Sequence, residues 1–505
     1  MRANSRVGEP TPGIHVADLV VTRSAMSLSR AVLLLGPALL MATGCGTTAT
    51  REATPGGPAG PASPATPTAQ AQPAFRQPRE LSSHNGRLHV RLVVEQRVVR
   101  LAGQDVRALT YNGDFMPPTL RLFPGDRVDL ELVNRLGEHT NLHTHGWHVS
   151  PKDSSDNIYL HIRPGQTYRY TYRLPEDLAP GTYWYHSHAH PLSEGQVFAG
   201  LSGAIVIEGL NRYLPSDLHD TAELLIALKD FQVRAGAIPT ANIDSNAPTT
   251  RTVNGLINPI IHIRPGETQM WRLANIGADI AYNVQLQGVR FHVIAQDANP
   301  VARVWSADTL LMPPGSRWDV LVQGPPAGRT RLVTRPYSTG KDGDSYPEAT
   351  LATLVSAGRA VTPARLPTTF AARYFDDLRK DPIAQRRVVT FSENTRADEF
   401  FINGKSFDPN RIDVRARLNT TEEWRVRNLA NEEHTFHVHV NDFQVISVNG
   451  RPYNARNWQD TVQLPARGEV VMRTRFRDFL GKYPLHCHIL NHEDRGMMAN
   501  VEVVR

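Results

Sequence analysis

The chain has 505 residues, 40% of them hydrophobic and 21% charged, which is ordinary for a globular protein and enough for about three domains. Its 55 basic and 49 acidic residues leave a formal charge of +6 without any basic run, so no nucleic-acid partner is expected. There are only two cysteines, Cys45 and Cys487, and a metal-binding role for Cys487 would exclude a disulfide framework.

Residues 1–45 read as an export signal. Arg23 and Arg30 precede the apolar run Ala31–Met41, which has secretory-signal length and is too short to span a bilayer. Met26 is an alternative start. The run closes on Ala42-Thr43-Gly44-Cys45, which resembles a lipoprotein cleavage site; Cys45 would then be the lipidated first residue, with ordinary signal cleavage as the alternative. Residues 46–75 are rich in Pro, Ala, Thr and Gly, cannot bury a core, and read as a disordered tether. An exported protein is expected, periplasmic or at the cell surface, held to the membrane through Cys45.

An internal repeat follows. Arg127–Asn134, Gln269–Asn275 and Glu423–Asn428 are strand-like segments ending in Asn. Nine residues after each Asn stand His143, Val284 and His437; two further on stand His145, Leu286 and His439. A second repeat puts Gly181 five residues before His186 and Gly481 five before His486. Repeats this long, with short β-branched strands and Pro/Gly turns, predict an all-β protein of three Greek-key β-sandwiches. The boundaries fall at 76–212, 213–375 and 376–505, and the middle domain, apolar where the others carry histidine, reads as a spacer. Glu176–Leu178 and Phe375–Arg379 are the short helix candidates.

Four His-x-His pairs stand out: His143/His145, His186/His188, His437/His439 and His486/His488. One pair alone is a weak signal. Side chains alternate along a strand, so each pair shares a face. Cys487 points away from His486 and His488, toward the face of His434. His-Cys-His, then His492 and Met497, offers thiolate, imidazole and a thioether, the ligands of a blue copper. Met498 is the adjacent alternative and reads as packing. His148, His190 and His292 read as non-ligands, and Glu432 and Glu433 as a charged surface turn, attraction of cationic substrates being the alternative.

In these motifs, HTHG at 143–146, HSH at 186–188, HTFHVH at 434–439 and HCHILNHEDRGMM at 486–498, the chain resembles the multicopper oxidases, in particular the three-domain bacterial laccase-like members. The resemblance spans roughly residues 80–505 and implies cupredoxin-like domains and four copper ions. It assigns His143 and His437 to a type 2 copper. His145, His186 and His488 go to one type 3 copper, and His188, His439 and His486 to the other. His434, Cys487, His492 and axial Met497 go to a type 1 copper, whose exposed edge is His434 or His492. It implies one-electron oxidation of a small donor (a phenol, aromatic amine or low-valent metal ion) coupled to four-electron reduction of dioxygen to water. Glu493 matches the family's acid near the type 3 pair and is assigned to proton delivery; Asp156 or Asp153 is assigned the same task near the type 2 site. The chain is expected to act as a monomer.

Thr435 stands where relatives usually have Pro, and Val440 where many have Gly. Of nine Met, three lie in the leader and none forms the Met-rich segment of cuprous oxidases. A periplasmic copper-resistance protein with cuprous oxidase activity remains the alternative. A nitrite reductase would need fewer His-x-His pairs, and a scaffold that has lost copper would not keep the whole set.

Overall fold

The protein's computed structural model describes residues 72–505. The leader, Met26, Cys45 and the tether to residue 71 lie outside this range. The described chain forms three double-sheet sandwiches in sequence. The first pairs a five-stranded with a four-stranded sheet; the second and third each pair a six-stranded with a five-stranded sheet. Each sandwich has its own apolar core, as alternating strands with one buried face require. The last strand of the first sandwich is Ser202–Ile207, and the second begins at Glu223–Phe231; the third begins at Ile383–Asn394.

The repeated asparagine has one job in all three copies. Asn134, Asn275 and Asn428 end the strands Arg127–Asn134, Thr268–Asn275 and Thr420–Asn428. Each side-chain NH2 donates to two carbonyls: Glu138 and Ile162, Ile280 and Met312, or Glu432 and Leu464. Each side-chain oxygen accepts the amide two residues on. The turn into the next strand is thereby pinned, and that strand carries His143, Val284 or His437. Asn275→Ala leaves buried carbonyls unpaired and is expected to cost about 2–4 kcal/mol, read as a lowered thermal midpoint.

Two sequence expectations need correction. The tether does not reach residue 75: Phe75 N donates to Ile260 O (2.9 Å) and Ile260 N to Pro73 O (2.8 Å). Phe75 also packs on the second core, so one aromatic ring among Pro and Ala is enough to anchor these residues. The helix candidates also fail. Glu176 and Asp177 form a turn, and only Leu378–Lys380 is a 3-10 turn. Among the described residues the α-helices are Ser193–Phe198 and Leu490–Asp494, each too short to show a helical period. They join the sandwiches: Glu194 N donates to Asp494 Oδ2 (2.7 Å), and Leu490 N to Ala278 O (3.2 Å).

Candidate metal centres

Eight imidazoles meet between the first and third sandwiches. In the first, strands His143–His145 and Gly181–His186 pair antiparallel with His143 opposite His186. In the third, strands His434–Val438 and Gly481–Cys487 pair with His437 opposite His486 and Phe436 opposite Cys487. The two halves stack: His143 on His439 at 3.8 Å between ring centroids, and His145 on His437 at 3.9 Å.

Three triads have ligand atoms within 4.8 Å of one another: His143/His145/His437, His145/His186/His488 and His188/His439/His486. A fourth group joins His434, Cys487 and His492. Cys487 Sγ lies 3.7 Å from His492 Nδ1, which is 3.2 Å from His434 Nδ1. Met497 is buried in the same core as Cys487, and its main-chain O accepts from Cys487 N (3.0 Å). Met498 pairs with His486 along the strand ladder instead. The tripeptide His486-Cys487-His488 therefore touches three of the four groups.

The interior of the cluster is built for cations. In five of the eight imidazoles the outer nitrogen is engaged: His143 Nδ1 by Asp156 (2.8 Å), His145 Nε2 by Asp460 (3.1 Å), and His186, His437 and His486 Nδ1 by main-chain carbonyls. Such a bond fixes the tautomer and leaves the inner nitrogen a lone pair. Inner atoms His143 Nε2, His186 Nε2 and His437 Nε2 are buried with no hydrogen-bond partner. Others face each other nitrogen to nitrogen at 3.2–3.3 Å: His439 with His486, His188 with His486, His488 with His145. Burial pushes His186 down to about 3, His188 to about 4 and His434 to about 3, so these rings are neutral and could serve as ligands. Burial also pushes the Cys487 thiol up, so its thiolate needs an adjacent cation. A thiolate with two imidazoles, and imidazole triads beside it, suit copper.

Carboxylates flank the triads. Asp156 accepts from His143 and from both the amide (2.8 Å) and hydroxyl (3.1 Å) of Thr144. Burial raises it to about 7, against the Thr144 donors. Asp153 is exposed on a turn, so of the two aspartates only Asp156 reaches the site. Glu493 is fully buried, 3.3 Å from His188 Nδ1 and 3.0 Å from His486 Nδ1. Its desolvation would raise it, but His188 and His486 hold it down at about 2.

Three family models described as multicopper oxidase match residues 93–212, 198–358 and 381–505. The chain belongs to the multicopper oxidase family. It is a copper-dependent oxidoreductase with oxygen as acceptor. It is similar to a multicopper oxidase of Staphylococcus haemolyticus (29% identical, over 78% of this chain and 83% of that protein). It is also similar to the cell division protein FtsP of Edwardsiella tarda (28%, over 74% and 80%). A solved multicopper oxidase of Campylobacter jejuni, described as a metallo-oxidase, superposes with a TM-score of 0.77 at 28% identity, covering 86% of this chain and 95% of that one.

In this multicopper oxidase several site residues carry no local sequence signal. Asp460 lies outside every histidine motif, yet it accepts from His145 and, through its main-chain O, from His437. The second sandwich is more than a spacer, because Gly315 backs the imidazoles. A Cβ there would lie 3.1 Å from His488 and 3.2 Å from His145, and its φ of +87° also demands glycine. Glu432 and Glu433 are not a surface turn. A loop of the second sandwich covers them, and Glu433 N donates to Thr339 O (2.6 Å). Glu432 is buried with Oε2 3.8 Å from His492 Nε2 and accepts from Thr339 Oγ1 (3.1 Å). Glu433 accepts from the Tyr337 hydroxyl and from Gln463 (3.1 Å). Glu393, unremarked in the sequence, puts Oε2 3.7 Å from His434 Nε2. His148 and His292 are bonded elsewhere, to Val440 O and to the Ser306 hydroxyl, and His190 lies 3.7 Å from Asp494.

Proposed function

We propose that the protein couples one-electron oxidation of a small reducing cation to four-electron reduction of dioxygen to water. The observation that carries this reading is the convergence of eight imidazoles, three of their inner nitrogens without a hydrogen-bond partner and the others facing one another, one residue away from a buried Cys/His/His group. His434, Cys487 and His492, with Met497 as axial ligand, would hold a type 1 copper. His143 and His437 would hold a type 2 copper; His145/His186/His488 and His188/His439/His486 would hold the type 3 pair. Copper bound there supplies reversible one-electron chemistry and a place for dioxygen. Cys487 is bonded through the backbone to His486 and His488, so it links the donor side to the oxygen side. Glu493 is anionic at neutral pH and touches one imidazole from each half, placing it to pass protons inward. Asp156 orients His143 and is assigned the same task beside the type 2 ligands. The leader ending at Cys45 supports an exported, lipid-anchored protein.

The donor class is argued from the outer edge of the Cys/His/His group. Of its two imidazoles His492 reaches solvent more than His434. Glu432 stands against His492 and Glu393 against His434, with Asp342 and Asp344 near them on the covering loop. Carboxylates suit hard divalent ions, Fe(II) or Mn(II), better than soft Cu(I). The metallo-oxidase description of the Campylobacter jejuni protein supports a metal-ion donor.

Copper-loaded protein is expected to turn coloured and to consume oxygen with Fe(II) or Mn(II) faster than with Cu(I). A loaded protein that stays uncoloured and consumes no oxygen with any of these donors, nor with phenols or aromatic amines, sinks the reading. Burial and the neighbouring acids raise Glu432 to about 8, so a bound cation displaces its proton; in Glu432→Gln, KM for Fe(II) should rise about 10- to 100-fold, since a contact to a charged group is worth about 1.5–3 kcal/mol. Oxidation of a neutral phenol should be unchanged, and equal losses with both donors would remove the cation argument.

A further inference from the structure

Asp460 is a buried carboxylate on which all three sandwiches meet. From the first, His145 Nε2 donates to its Oδ1 (3.1 Å). From its own, His437 Nδ1 donates to its main-chain O (2.8 Å) and the Thr461 hydroxyl to its Oδ1 (2.8 Å). From the second, Arg317 grips it with a two-pronged fork, one terminal nitrogen 2.8 Å from Oδ1 and the other 2.6 Å from Oδ2. The guanidinium is 0% exposed. Two further donors go to Thr182 O (3.1 Å) and Gly315 O (2.8 Å), so four of its five N–H groups fix its plane. Gly146 makes room for the fork: a Cβ there would lie 2.7 Å from Arg317 and 2.8 Å from Asp460.

One feature of the cluster matches this clamp. Seven of the eight imidazoles turn Nε2 inward, and His145 alone turns Nδ1 inward, 3.2 Å from His488 Nε2. Which nitrogen an imidazole offers a metal is set by the hydrogen bond of the other one. Asp460 binds Nε2 of His145, and a bidentate arginine fork is the side chain that best fixes a carboxylate in one plane.

We infer that Arg317, from the sandwich that carries no ligands, is a positioning residue of the oxygen site: it holds Asp460 so that His145 presents Nδ1. The inference rests on the copper reading above.

The test compares wild type with Arg317→Met, Arg317→Lys and a control, Arg272→Met. Arg272 is another buried arginine of the second sandwich, paired with Asp319 (3.1 Å) and Glu223 (2.9 Å); it shares the neighbour Thr182 with Arg317 but makes no bond to Asp460 or to an imidazole. Copper per chain, its retention against a chelator and the electron paramagnetic resonance spectrum are measured, with the thiolate colour as a check on folding. Arg317→Met should keep the colour, change the resonance spectrum of the remaining copper and retain that copper about tenfold less tightly, the usual loss when an outer ligand contact goes. Arg317→Lys, with the charge but no fork, should show a smaller change of the same kind, and it carries the test if the Met variant does not fold. Wild-type spectra and copper content in the Arg317 variants, or the same changes in Arg272→Met, overturn the inference alone. A wild type that takes up no copper overturns the copper reading and the inference with it.

Discussion

Cys487→Ser is expected to be a colourless, folded protein that consumes no oxygen with any donor. The side chain is fully buried in the third core, so the near-isosteric change costs only the burial of a hydroxyl, about 1–3 kcal/mol. The chemistry lost is larger. A serine hydroxyl does not ionise beside two imidazoles as a metal-bound thiol does, so the soft anionic ligand disappears. The covalent step from the His434/His492 group to His486 and His488 remains, but nothing at its start collects the donor's electron. Copper analysis and visible absorption check the first half of the expectation, and an oxygen electrode the second. A coloured Cys487→Ser protein would mean that the thiolate belongs to no metal centre.

Glu493→Gln should separate electron delivery from proton delivery. Glutamine keeps the shape and removes the charge between His188 and His486. Positioned proton transfer contributes typically about 10²- to 10⁴-fold, so turnover should fall by about that factor. The colour should persist, because the Cys487 group lies on the other side of the strand. Under anaerobic conditions the donor should bleach the variant at the wild-type rate, and only the return of colour on admitting oxygen should slow. Glu493→Asp should recover part of the loss. Slowed bleaching would point instead to a disturbed donor side.

Much of this site could be read before any coordinates. A strand has a period of two, so His-x-His pairs declare a shared face, and His486-Cys487-His488 declares that the cysteine faces another way. The asparagine nine residues ahead of His143, Val284 and His437 marks a pinned turn, and its three hydrogen bonds recur in each sandwich. Motifs of this kind survive in the sequence because the residues are close in the chain and the geometry between them is fixed by the strand itself.

Other parts could not be read this way. The helix Leu490–Asp494 is shorter than two helical turns, and contacts with Ala278 and Glu194, far off in the chain, hold it. Glu432 looked like a surface charge because burial is decided by the covering loop at Thr339, nearly a hundred residues earlier. Asp460 and Arg317 belong to different sandwiches and share no spacing rule, so neither announces the other.

The candidate ligand residues, the strand faces they occupy and the architecture of three β-sandwiches thus follow from local patterns in the chain. The tertiary structure alone decided which nitrogen each imidazole turns inward, which carboxylates are buried against them, and that the middle sandwich reaches the imidazole cluster. The reason is physical: side-chain parity is set by the backbone of one strand, whereas a tautomer or a buried charge is set by whatever partner the packing of distant segments brings within hydrogen-bond reach.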